Sequence, residues 1–224
     1  MLSRSQRGLS LIEMMIALVV VAVLMMLALP EYNTFIKNAK IKNVAQSYEA
    51  GLQLARAEAL RRNESVRFSL VTNMSSTCAV LNVAIGNTTA PGWVVSRDDP
   101  ADKCDIAPSE TVAPRIVQKW DAGESASGLP WFMYIGTAAT GGGDSITFNG
   151  LGRVSPAFVA AGINANTGRI DVDVFQLSDL IRCEHGAGTG GVTLRCMRIV
   201  VTNAGQIRMC DPKVSDAADP RKCP

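Results

Sequence analysis

Residues 1–30 read MLSRSQRGLSLIEMMIALVVVAVLMMLALP, a short basic leader ending in Gly8 followed by an apolar run that holds one carboxylate, Glu13, near its start. At about 1.5 Å per residue, a helix over residues 9–29 spans roughly 31 Å, enough to cross the hydrocarbon core of a bilayer. A secretory signal would place its small-residue cleavage site after the apolar core, whereas Gly8 stands before it, so the run is expected to persist in the finished chain. Arg4 and Arg7 precede the run and predict a single pass with the N-terminus in the cytoplasm and the remainder outside. A carboxylate in such a segment costs on the order of 2.5 to 3.5 kcal/mol. Two opposite charges that leave water together cost far less than either alone, so Glu13 is expected to meet a positive charge from another molecule.

Helical spacing continues past Pro30, which predicts that this proline kinks the helix without ending it. Ile41, Val44, Ala45, Tyr48, Leu52, Ala55 and Ala59 fall three or four apart and form one apolar stripe, while Lys37, Lys40, Lys42, Gln46, Gln53, Arg56 and Arg61 occupy the other face. Asn63 is the expected stop, because VRFSLV after it has strand character. A helix from Ser10 to Asn63 would be about 80 Å long. Beyond it, β signals alternate with turn clusters, and strands are expected over 66–71, 78–85, 93–96, 115–120, 131–135, 145–149, 169–177, 192–203 and 206–210. In IDVDVFQL the alternation of Ile170, Val172 and Val174 with Asp171, Asp173 and Gln176 predicts a sheet with one wet face. The fold class is therefore α+β, a long N-terminal helix packed on a mostly antiparallel β head. Its parts are a leader (1–8), a membrane or fibre-core helix (9–29), an amphipathic stalk (30–64) and the head (65–224).

All six cysteines, Cys78, Cys104, Cys183, Cys196, Cys210 and Cys223, follow the apolar run. An even number on the oxidising side of a membrane reads as disulfides, with fifteen possible connectivities. The sequence-local set, Cys78–Cys104, Cys183–Cys196 and Cys210–Cys223, is the expected one. The chain has 22 Lys plus Arg against 20 Asp plus Glu. Loss of residues 1–8 removes Arg4 and Arg7 and balances the two, so no global field draws in nucleic acid and any DNA contact must come from a local patch.

Gly8, Leu9, Ser10, Leu11, Ile12, Glu13 and Pro30 together resemble the class III signal of type IV pilins and type II secretion pseudopilins. The resemblance implies cleavage by prepilin peptidase between Gly8 and Leu9, N-methylation of Leu9, and assembly of the apolar helix into a fibre from an inner-membrane platform. It also implies that Glu13 pairs with the terminal amine of a neighbouring subunit. That family usually carries Phe where this chain has Leu9, a mild departure between two bulky apolar residues. The run from Ile146 to Arg153, ITFNGLGR, is similar to the central motif of the GspH/FimT group of minor pilins and pseudopilins. RIVVTNAGQIRMC, from Arg198 to Cys210, is similar to that group's closing hairpin, and LQLARAEALRRNESVRF, from Leu52 to Phe68, to its helix end and first strand. In the central motif, Asn149, Gly150 and Gly152 are expected to supply the positive backbone angles of a bend.

Three functions follow from that resemblance. The first is a minor pilin that initiates or supports type IV pilus assembly beside other major and minor pilins. The second is minor pseudopilin H of a type II secretion system. The third is a DNA-capturing minor pilin, whose closing hairpin would carry a GRxR motif. Here Gly205, Gln206, Ile207 and Arg208 stand in its place, so the first arginine is missing, and Arg195, Arg198 and Arg208 become the candidate phosphate contacts.

Enzyme chemistry finds no footing. The loop Gly186–Gly191 fits G-x-G-x-x-G but is followed by a strand pattern, whereas a dinucleotide site needs a strand before it and a helix after it. Cys183, Glu184, His185 and Cys196 match no common zinc spacing. His185 is the chain's single histidine and has no ordered nucleophile or orienting acid near it in sequence. No metal, no cofactor and no catalytic residue are expected. The protein should sit in the bacterial inner membrane with a periplasmic head, and later in a pilus or pseudopilus.

Overall fold

The computed structural model describes residues 10–81, 83–87, 91–123, 131–135, 145–155, 169–176 and 196–224. One helix, α1 (Leu11–Arg62), is followed by nine strands: β1 (Val66–Val71), β2 (Val83–Asn87), β3 (Gly92–Ser96), β4 (Ile116–Trp120), β5 (Trp131–Ile135), β6 (Ser145–Phe148), β7 (Arg169–Gln176), β8 (Met197–Thr202) and β9 (Ile207–Cys210). The chain forms two compact units, Met1–Asn38 and Ala39–Pro224.

In the first unit α1 runs unbroken through Pro30. From Leu11 to Met26 its large apolar side chains stand open, Leu18 at 67% exposure among them. Among the described residues no helix is long and apolar enough to cross a membrane. Side chains in this stretch are described as far as Met26, and the sequence stays apolar to Leu29.

The second unit is the head, with the second half of α1 as its spine. All seven residues of the apolar stripe, Ile41 through Ala59, are buried. They meet Val66, Phe68 and Leu70 of β1, Trp93 and Val95 of β3, Ile146 and Phe148 of β6, Ile170, Val172 and Val174 of β7, and Ile199 and Val201 of β8 in one core. Two sheets supply these residues, with orders β4-β3-β1-β6 and β2-β5-β7-β8-β9, and every strand pair is antiparallel. Tyr48 is fully buried: its hydroxyl donates to the Pro91 carbonyl at 2.6 Å, and Phe68 and Trp120 meet its ring edge-on. Burial pushes its phenol pKa well above the ordinary value.

Asn63 ends the helix as its sequence position predicts. It takes a left-handed φ of 53°, and the Glu64 N–H reaches back to the Ala59 carbonyl at 3.3 Å, closing the last turn. The strands follow the expected set except over 78–85 and in the expected strand 192–203, of which β8 covers Met197–Thr202; residues 177 and 192–195 lie outside the described residues. Over 78–85, Cys78 is tied to Cys104, Val80 forms an isolated bridge to Val71 flanked by a hydrogen bond from the Leu81 N–H to the Leu70 carbonyl at 2.9 Å, and β2 runs from Val83 to Asn87. A second, smaller core of Val71, Cys78, Val94, Cys104 and Ile116 packs around that disulfide.

The wet face expected of β7 is corrected by the structure. Asp171 and Asp173 are buried, and Arg198, directly opposite Asp173 on β8, places its Nε 2.7 Å from one carboxylate oxygen and an NH2 group 2.8 Å from the other. Arg198 also lies 3.4 Å from Asp171, which in turn has Arg169 at 3.1 Å. Alternation reports which residues share a face; it does not report that cross-strand arginines neutralise the acids and let that face close.

Candidate functional site

Two places carry the residues that the sequence singles out. The first is the start of α1. Gly8 and Leu9 lie outside the described residues, and Glu13 stands exposed in the first turn of the helix. A carboxylate there complements the positive helix end. No ion pair to Glu13 exists among the described residues. The exposed side chains on either side of it, Leu11, Ile12, Met14, Met15, Ile16 and Leu18 through Met26, form an apolar surface far larger than a water-exposed helix carries.

The second place is where the two head motifs meet the helix. In ITFNGLGR the Asn149 side chain organises the bend, its Oδ1 accepting from the Leu151 and Arg153 N–H groups at 3.0 Å each. Only Gly152 of the three expected positions has a positive φ, 70°. Gly150 is there for space: a Cβ on it would sit 2.7 Å from the Asn63 carbonyl carbon, against the end of α1. In the closing hairpin Gly205 has φ 81°, and a Cβ on it would collide with the Gly152 carbonyl oxygen. The Val154 N–H bonds the Asn203 carbonyl at 3.1 Å, and Arg56 of α1 donates its Nε–H to the Gly152 carbonyl at 3.2 Å. Both motifs and the helix are thus clamped at one point, and the turn glycines are needed by that close approach. Arg56 was assigned to the polar face by its spacing alone; a lone arginine directed at a turn carbonyl leaves no sequence signal of its own. A cleft of about 260 Å³, lined by Gln53, Arg56, Ala57, Leu60, Gln206 and Ile207, opens beside this clamp.

Of the candidate DNA contacts, Arg198 and Arg208 lie among the described residues. Arg198 is 8% exposed with its guanidinium on Asp173 and Asp171, so it is withdrawn from any phosphate. Arg208 is exposed on β9, but its guanidinium donates to the carbonyls of Pro220 at 2.5 Å and Lys222 at 3.2 Å. Arg195 lies outside the described residues.

Cys78–Cys104 and Cys210–Cys223 are bonded as the sequence-local pairing has them. Cys196 is disulfide-bonded too, while its expected partner Cys183 lies outside the described residues, as do Glu184 and His185 of the supposed zinc set. Other charged residues form ion pairs on the head. Arg61 and Arg62 hold the Glu58 carboxyl below its ordinary pKa, Arg62 does the same for Glu110, and Arg115 for Asp98. Arg221 holds Asp219 down to about 2.

Comparison with known proteins agrees with this anatomy. The family model for the type II transport protein GspH matches residues 44–217. The chain belongs to the GspH family. The prokaryotic N-terminal methylation motif matches residues 3–29, the leader and apolar run. Among solved structures, the type IV minor pilin FimU of Pseudomonas aeruginosa is similar in two crystal forms, at 12% identity and TM-scores of 0.45 and 0.41. The matches cover 82% and 79% of this chain and 97% of FimU in each case. No curated protein matches. A GspH-family chain with this N-terminal signature is a minor pilin or pseudopilin, a structural class of protein.

Proposed function

We propose that this chain is a minor pilin that helps initiate or support type IV pilus assembly. Prepilin peptidase cuts between Gly8 and Leu9, Leu9 is methylated, and the mature helix waits as a single pass in the inner membrane with the head in the periplasm. An assembly platform then extracts it, and Glu13 meets the terminal amine of a neighbouring pilin as the helix enters the fibre. The observation that carries the reading is the exposed apolar half of α1 bearing Glu13, which has no ion pair among the described residues, a surface suited to cover by other helices or lipid. The two described disulfides, with Cys196 also bonded, fit a head made for the outside of the cell.

Type II secretion is the second reading, favoured by the description of the matching family model. Deletion separates the two: loss of surface pili and twitching supports the first, and loss of exoprotein export with normal pili replaces it by the second. Lost DNA uptake with normal piliation would instead favour DNA capture. Glu13→Ala is expected to remove the chain from sheared fibres while leaving head melting unchanged, and recovery of the variant in fibres at the parent's level would refute the charge-pairing step. Intact mass should show a methylated chain starting at Leu9 with no free thiol.

A further inference from the structure

We propose that residues 211–224 are a strap across the outer face of β7, β8 and β9, and that the Cys210–Cys223 bond is a redox latch: when a dithiol reduces it, the strap is freed and that face opens while the rest of the head stays folded.

Register places the latch. Successive side chains of a strand point to opposite faces, and Ile170, Val172, Val174, Ile199 and Val201 all join the core that the helix stripe closes. The residues between them share the other face, in two rows across the sheet: Asp171, Val200 and Arg208 in one, Asp173, Arg198 and Cys210 in the next. A face this charged on an antiparallel sheet is ordinarily wet. Here Asp171, Asp173, Arg198, Val200 and Cys210 are each at most 8% exposed. Cys210 is bonded to Cys223, which brings the far part of the strap over that same face. The strap's polar contacts run to it as well. Arg208 donates to the Pro220 and Lys222 carbonyls, and Arg169, on the same face as Asp171, donates to the Pro224 carbonyl at 2.5 Å.

What holds the strap differs from what holds the strands beneath it. Among the described residues none from 211 to 224 belongs to either apolar core, so carbonyl contacts and one covalent bond take the place of apolar burial. A segment with so few buried apolar contacts opens before the core does. The bond is also the more accessible of the two described disulfides: Cys78 and Cys104 are fully buried, whereas Cys210 is 2% exposed and Cys223 half-buried. Thiol–disulfide exchange needs access for the attacking thiolate, so it enters at Cys223. One thiolate of the dithiol bonds to the Cys223 sulfur as the Cys210–Cys223 bond breaks, and Cys210 leaves as a thiolate and takes up a proton. The second thiolate then closes on the first and releases Cys223. Two electrons pass to the pair of cysteines, and the dithiol becomes a cyclic disulfide.

The test uses the full chain in detergent with dithiothreitol as the dithiol. Thiols that appear are alkylated and located by mass spectrometry, arginines are probed with phenylglyoxal, and tryptophan fluorescence follows the core through Trp93 and Trp120, which sit in it or pack against it. Cys210 and Cys223 are expected to be alkylated at least about tenfold sooner than Cys78 and Cys104. Arg169 and Arg198 should gain phenylglyoxal reactivity in step with them, while the tryptophan emission stays unchanged. Cys196 is also disulfide-bonded, so a second measurement isolates the latch. Cys210→Ser combined with Cys223→Ser should show the same arginine reactivity with no dithiol present. Alkylation of Cys78, Cys104, Cys210 and Cys223 at one rate overturns the latch. Arginine reactivity that stays at the oxidised level, in the reduced parent or in the double serine variant, overturns the strap. A tryptophan change that accompanies the arginine reactivity overturns it too, because the head would then be unfolding as one.

Discussion

The two halves of α1 treat apolar surface in opposite ways. From Leu11 to Met26 apolar side chains surround the helix and stand open, whereas from Ile41 to Ala59 they form one stripe, and that stripe is closed by two sheets. Charge is handled in the same contrast. Glu13 is exposed without an ion pair among the described residues, while Asp173 is 5% exposed and held by Arg198 from the opposite strand. The difference teaches where the core ends: the head closes its own apolar stripe, and the first half of the helix leaves its apolar side chains exposed. Leu52→Ala against Leu18→Ala is the sharpest way to break this contrast. Leu52 is fully buried, so its truncation should lower head stability by about 4 kcal/mol, read as a shift in denaturant midpoint. Leu18→Ala should leave that midpoint within about 0.5 kcal/mol. Equal effects would mean that the exposed half is part of the head's folding unit.

A smaller effect tests the charges. Asp173→Asn keeps the shape of the side chain but takes the bidentate carboxylate from the buried Arg198 guanidinium, which keeps the longer contact to Asp171, 3.4 Å away. Removing one partner of a buried pair is destabilising by several kcal/mol. With Asp171 in reserve, about 3 kcal/mol is expected from the same denaturant titration. Asp173→Asn combined with Arg198→Met should recover part of that loss, because no uncompensated charge then remains inside. A neutral single variant would place the pair in contact with solvent and reopen the wet-face reading of β7.

Much of the head was legible in its sequence because periodicity carries the information. The stripe from Ile41 to Ala59 needed only the 3.6-residue repeat, and β1, β5 and β7 needed only dense β-branched and aromatic residues between turns. The sequence-local pairs Cys78–Cys104 and Cys210–Cys223 were legible from chain spacing. What stayed hidden depends on partners far apart in the chain. Asp171 and Asp173 read as solvated until Arg198 is placed opposite them, 25 residues from Asp173. Arg56 read as a surface residue until the Gly152 carbonyl, 96 residues away, came within its reach. Gly150 read as a turn residue, although its need is space against Asn63 at the helix end. In each case spacing gave the face, and only tertiary contact gave the reason for the residue.

The smallest expected effect is the head's response to acid, and it separates exposed pairs from the buried one. Glu58, Glu110 and Asp98 have pKa values held below the ordinary carboxylate range by Arg61 and Arg62, by Arg62, and by Arg115 respectively, and Arg221 holds Asp219 near 2. A carboxyl whose folded pKa is depressed contributes stability that is fully present above its unfolded pKa, about 4, and is lost as pH falls through the folded value. The head's melting temperature should therefore be flat down to about pH 5 and decline gradually from about pH 4 toward pH 2. These pairs lie at the surface, so each adds little and salt should flatten the slope. The slope below pH 4 in Glu110→Gln should be slightly shallower than in the parent, since the Arg62 partner with the larger exposure is gone. An abrupt collapse near pH 4, unchanged by about 1 M salt, would mean instead that the acid response does not come from these surface pairs.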